Sequence, residues 1–102
     1  MAKLVVLYNK PADVAAFDAH YFNKHVPLAK TIPGLRSYEV NDGPVGTPQG
    51  PAPYHLVAIL TFDSMAAIGA AFASKEGQAT AGDLANFAQA GAQLLMLDTR
   101  EI

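Results

Sequence analysis

"YHLVAILTF", residues 54–62, is the stretch on which the fold turns. Nine residues rich in β-branched and aromatic side chains, closed in by Pro53 and by Asp63–Ser64, predict a strand. Alternate residues of a strand face opposite sides. Tyr54, Leu56, Ala58, Leu60 and Phe62 would therefore share one face, and His55, Val57, Ile59 and Thr61 the other. Neither face is clearly polar. "LVVLY" (residues 4–8) and "LLML" (residues 94–97) are apolar on both sides as well. Strands buried on both faces read as continuous apolar runs in this way.

The remaining elements follow on either side. "KLVVLY" (residues 3–8) is a first strand, stopped at Asn9–Lys10–Pro11. Asp13 is placed to cap a helix, because its carboxylate can accept from free N–H groups of the first turn. Val14, Phe17, Tyr21, His25 and Leu28 then form one helical stripe. Pro27 should end or kink that helix, and the chain could restart with Pro27 in its first turn. After a turn at Pro33–Gly34, "LRSYEVNDG" (residues 35–43) predicts a second strand, and the proline- and glycine-rich residues 43–53 a long loop. Asp63 or Ser64 starts a second helix at "MAAIGAAFAS". "KEGQATAGDLANFAQAG" adds another helical segment after a break at Gly77–Gly82, and residues 92–102 close as a fourth strand.

The order β-α-β-β-α-β is the split pattern of ferredoxin-like α+β folds with a four-stranded antiparallel sheet. It makes residues 1–102 a single domain. Two helices cover one face of such a sheet, and an apolar second face left in water would be an association patch. The expected assembly is a homodimer that packs two open faces together as a dimeric α+β barrel.

Composition removes several functions. The 102 residues are 51% hydrophobic and 16% charged, with a formal net charge of −2. The seven Lys and Arg residues are scattered, leaving no footprint for nucleic acid. With no cysteine, disulfides, thiolate metal sites and thiol nucleophiles are excluded. No apolar run is long enough for a signal-peptide core or a bilayer span, so no membrane partner and a cytoplasmic location are expected.

The chemistry that remains is acid–base work in an apolar pocket. His25 lies on the helical stripe, and an imidazole titrates close to neutrality. Tyr8, Tyr21, Tyr38 or Tyr54 could donate a phenolic hydrogen bond to an oxygen that gains charge. His25 has an equally simple alternative, capping the last helical carbonyls before Pro27. His20 and His25 are five residues apart, about 140° around an α-helix. They should not act as a matched pair, no metal site is expected, and His20 should face solvent. His55 is a rim residue that becomes a candidate only if it faces the interior.

"LYNKP", "FDAHYFNKH" and "HVPLAKTIPGLRSY" together resemble the EthD-domain family of the dimeric α+β barrel group. In that resemblance His25 falls on the histidine of an H-x-P-L motif, and Tyr21 and Phe22 fall in its aromatic helix segment. The resemblance implies a ferredoxin-like homodimer linked by the family name to ethyl tert-butyl ether degradation. It also implies a pocket for a small apolar or aromatic compound. The activities it suggests are a cofactor-independent lyase, isomerase or monooxygenase with His25 as acid or base. Tyr8, Tyr21, Phe22, Tyr38 and His55 are then the candidate substrate contacts. The alternative is a non-catalytic accessory protein that holds such a ligand, or a haem-like one, for a separate oxygenase.

Overall fold

The computed structural model describes residues 1–102. Its main sheet has four antiparallel strands: β1 (Ala2–Asn9), β2 (Ser37–Val40), β5 (Tyr54–Phe62) and β6 (Ala92–Asp98), in the spatial order β2-β5-β1-β6. A two-residue hairpin, β3 (Gly46–Thr47) with β4 (Gly50–Pro51), stands within the expected long loop. The fold is α+β and ferredoxin-like. No helix is long and apolar enough to cross a membrane.

β1 and β5 form the centre, with Leu4 opposite Leu60 and Val6 opposite Ala58. Leu4, Val6, Tyr8, Leu56, Ala58, Leu60 and Phe62 belong to the buried core. The intervening Val5, Leu7, Val57 and Ile59 are half-buried on the open face. One strand face departs from simple alternation. The register shifts between Tyr8 and Asn9, which pair with Leu56 and Tyr54, so His55 is left over. The bulge turns His55 to the helix side, where its ring meets Phe17 edge-on at 5.2 Å. His55 does not join Val57 and Ile59 on the open face as the alternation predicts.

Three side chains set the helix starts. Asp13 accepts from the Ala16 N–H at 3.0 Å and caps α1 (Val14–His20). Ser64, not Asp63, caps α3 (Met65–Ala73), accepting from the Ala67 N–H at 3.0 Å. Asp63 instead meets the Arg36 guanidinium with both oxygens, at 3.0 and 2.7 Å. Ser74 ends α3 and caps α4 (Lys75–Phe87), whose helix runs through Gly77 and Gly82 without the expected break. Gly77 is needed for packing, not for a break. A Cβ there would lie 2.1 Å from the Ala71 carbonyl oxygen and 2.7 Å from the Phe72 Cα, so only glycine lets α4 start against the last turn of α3.

Candidate active site

The site begins with an irregularity of the first helix. Beyond α1 the chain makes a π turn over Tyr21–His25 and returns to α-helix in α2 (Val26–Ala29). The Val26 N–H bonds the Tyr21 carbonyl five residues back. Pro27 offers no N–H and its ring would crowd the carbonyl four residues earlier. The wider turn lets the helix pass this point, so Pro27 neither ends it nor leaves His25 capping free carbonyls. A π turn also brings residues five apart into line, and such turns collect at functional sites. His20 and His25 consequently converge, contrary to the α-helical expectation that they diverge.

They converge on Asp83 of α4. His25 Nδ1 lies 2.8 Å from Asp83 Oδ2, and His20 Nε2 lies 2.9 Å from Oδ1 and 3.1 Å from Oδ2. The Asn86 amide donates a third bond to Oδ1 at 2.9 Å. An ionised carboxylate only accepts, so both rings must present N–H to it. This assigns the His25 proton to Nδ1 and leaves its Nε2 as a lone pair. Phe87 holds both rings, stacked on His20 at 5.1 Å and tilted against His25 at 4.7 Å.

The protonation preferences follow from these surroundings. Burial, the larger influence, holds His25 below the ordinary imidazole value against the opposing bond to Asp83. Asp83 feels burial in the upward direction, but the bonds from Asn86, His25 and His20 outweigh it and hold it below the ordinary carboxylate value. At neutral pH the unit is a carboxylate with a neutral His25.

His25 lines a cavity of about 60 Å³ between the sheet and the helices. Leu4, Val6, Ala58, Leu60 and Leu84 supply much of its apolar wall. Tyr8, Tyr21 and Tyr38 line it too. The Tyr21 and Tyr38 hydroxyls meet at 2.6 Å. Two hydroxyls sharing one bond use one proton and leave the other to donate elsewhere. Tyr8 makes no hydrogen bond within the protein. No fully enclosed polar side-chain atom lacks a partner, so its hydroxyl reaches open space, as His25 Nε2 does. Burial raises the pKa of all three phenols, which therefore remain donors at neutral pH. The wall includes Leu94 of β6, itself 48% exposed, which places the opening along that strand.

Of the residues singled out from sequence, His25, Tyr8, Tyr21 and Tyr38 come together. Phe22 and His55 do not. Phe22 lies beyond the α-helical stripe, 48% exposed, with its ring against the outer edge of Tyr21. His55 is tied to Asp18 at 2.7 Å in a separate surface cleft that Phe22 also borders. His20 is only partly solvent-facing, its side chain 22% exposed, and it is also a partner of Asp83. Asp83 itself escaped the sequence reading. Its signal was an acidic residue on the stripe Thr80–Asp83–Leu84–Phe87, obscured by the break assumed at Gly77–Gly82.

Known proteins share this fold. The model of the EthD domain matches residues 9–91. The chain belongs to the EthD-domain family. An uncharacterized 11.0 kDa protein in the thcB-thcC intergenic region of Rhodococcus erythropolis is 45% identical over 100% of this chain and 98% of its own length. The crystal structure of an ethyl tert-butyl ether d (ethd) family protein from Bacillus halodurans superposes with a TM-score of 0.89. It is 37% identical, covering 98% of this chain and 99% of that one. More distantly, SnoaB from Streptomyces nogalater, a cofactor-independent oxygenase, shares the fold at a TM-score of 0.69 and 15% identity, covering 99% of this chain and 94% of that one. Other structures of this fold are described as dimeric ferredoxin-like proteins.

Proposed function

We propose that this EthD-domain protein binds a small apolar or aromatic carbonyl compound in the cavity and moves a proton on it without a cofactor. The observation that supports the reading is that His25 lines an apolar cavity together with three tyrosines while Asp83 holds its Nδ1, which leaves Nε2 as the free ring nitrogen. Nε2 takes a proton from carbon next to the carbonyl, and the charge that develops on oxygen is met by a tyrosine hydroxyl. Asp83 balances the imidazolium that forms, and His25 returns the proton to close an isomerisation or delivers it to a leaving hydroxyl in a lyase step. In water-poor surroundings such fixed donors act strongly. The shared fold with a cofactor-independent oxygenase adds support at the level of fold. Drug-sized sites occupy about 300–1,000 Å³, so the cavity as it stands suits a ligand of few heavy atoms, and an aromatic ketone such as acetophenone enters only by displacing Leu94 at the opening.

The test uses acetophenone in D₂O, following loss of its methyl protons by NMR. The protein should accelerate this exchange, and His25→Ala should lower it by about 10²-fold or more while the fold is kept. Binding without exchange would favour the accessory ligand-holding role. Equal exchange by His25→Ala would overturn His25 as the base.

The same reading includes a homodimer. Leu95 and Leu97 of β6 are 48% and 42% exposed and continue the apolar open face of Val5, Leu7, Val57 and Ile59. Leu94 and Met96, 48% and 58% exposed, point to the helix side of the same edge strand. An edge strand this apolar invites association. A second copy on the open face covers the first set.

A further inference from the structure

The two histidines that share Asp83 open in different directions. His25 lines the cavity, and its side chain is 6% exposed. His20 borders a separate groove on the outer surface with Asp13, Asn86 and Phe87, and its side chain is 22% exposed. Asp83 stands between cavity and groove and accepts from both. A single carboxylate carries one negative charge. It can balance one imidazolium, but two would leave the trio with a net positive charge in a largely buried position, and interacting groups of this kind titrate as a unit.

We propose that His20 is a positioning residue for His25, acting through Asp83. Neutral, it fixes the carboxylate for His25; protonated from the groove, it takes up the carboxylate's charge and weakens His25 as a base. The inference rests on the assignment of His25 as the base. The geometry that creates it is the π turn, since an α-helix would carry His20 away from the carboxylate that His25 uses.

Asp13, the carboxylate that borders the groove with His20, caps α1 by accepting from the Ala16 N–H, and the other groups packed around the trio do not supply that charge. Tyr21 of the π turn and Tyr8 and Tyr38 of the sheet are phenols kept protonated by burial. Asn86 of α4 is a neutral donor. Lys24, the cation next to His25 in the chain, is exposed, and the only ion-pair partners of Asp83 are the two histidines. During proton transfer to Nε2, the new positive charge of His25 is balanced by Asp83 only while His20 is neutral.

The test reads the ring nitrogens of His25 by long-range ¹H–¹⁵N NMR on the full chain, from about pH 8 down to about pH 5. The comparison is with His20→Gln, which keeps an N–H donor toward Asp83 and cannot be protonated. The expected result is a His25 midpoint about one pH unit higher in His20→Gln, the size of effect exerted by one nearby charge. The curve should also change from two coupled steps to one. Asn86→Ala removes another partner of Asp83 without touching a titrating group, so the two-step curve should survive in it. It also stands in if His20→Gln fails to fold. An unchanged His25 curve in His20→Gln would overturn the proposal. So would a His25 that stays neutral throughout in both proteins, or an Asn86→Ala curve that loses its second step as well. None of these outcomes depends on turnover. Absence of acetophenone exchange alongside the expected coupling would sink the proposed reaction and leave the coupling standing.

Discussion

Asp83→Asn isolates what the shared carboxylate does. The substitution keeps the shape and replaces an oxygen that only accepts by an amide that donates. Three N–H groups reach Asp83, from His25 at 2.8 Å, His20 at 2.9 Å and Asn86 at 2.9 Å, and its side chain is 10% exposed. Asparagine retains one accepting oxygen, so at least one charged bond is lost and one donor must face another donor. A bond to a charged group contributes about 1.5–3 kcal/mol, and an unmatched buried donor costs about 1–3 kcal/mol. Partial rearrangement leaves a net loss of about 2–3 kcal/mol, which for a domain of this length lowers Tm by about 10 °C or more. His25 can relieve the clash by moving its proton to Nε2, the tautomer that cannot act as the base, so exchange of acetophenone should fall by about 10²–10⁴-fold. The pH dependence adds a third reading. His25 lies below its unfolded value of about 6.5, so the unfolded chain takes up its proton first and stability drops as pH falls below that value. Asp83 opposes this by favouring the protonated ring, so the drop from about pH 7 to about pH 5 should be steeper in Asp83→Asn. Asp83 adds stability of its own above the unfolded carboxylate value, lost as pH falls through the lower folded value. Thermal unfolding by circular dichroism, repeated across pH, measures these effects. A variant with unchanged Tm, exchange rate and pH slope would refute the role given to Asp83.

Gly77→Ala places a Cβ 2.1 Å from the Ala71 oxygen, so the start of α4 must move. The overpacking cost of about 1–3 kcal/mol exceeds the gain of about 1 kcal/mol in helix propensity, and Tm should fall. Gly82→Ala, with nothing within 4 Å, should raise it in the same scan. Tyr38→Phe removes the partner that fixes the Tyr21 hydroxyl; exchange should fall by about tenfold or more with stability reduced by about 1–2 kcal/mol, as read by rate and by denaturant midpoint. Leu95→Lys puts a charge on the open face of β6 and should yield a folded monomer by native mass spectrometry, whereas a persisting dimer would place the interface elsewhere.

The sheet was legible because its information is local. Period-two apolar runs, Asp13 before α1 and the Pro33–Gly34 turn each announce their own geometry. His25 was legible for a similar reason, since the stripe Phe17, Tyr21, His25 shares one face. What the sequence hid depends on small departures from ideal periods. The π turn before Pro27 reverses the relation of His20 to His25, and one bulge beside Tyr8 moves His55 to the other face. Gly77 looked like a helix breaker because helix propensity penalises it, while the close approach of α3 that requires it is a tertiary contact. Asp83 reaches His25 across 58 residues of chain, and no local pattern joins them.

The measurement that bears most directly on the account is the tautomer of His25 in the ligand-free protein near pH 7.5, read from long-range ¹H–¹⁵N couplings of its ring. The account predicts a neutral ring with the proton on Nδ1, held by Asp83, and an unprotonated Nε2. A ring protonated at Nε2, or one exchanging freely between the two forms, would contradict it.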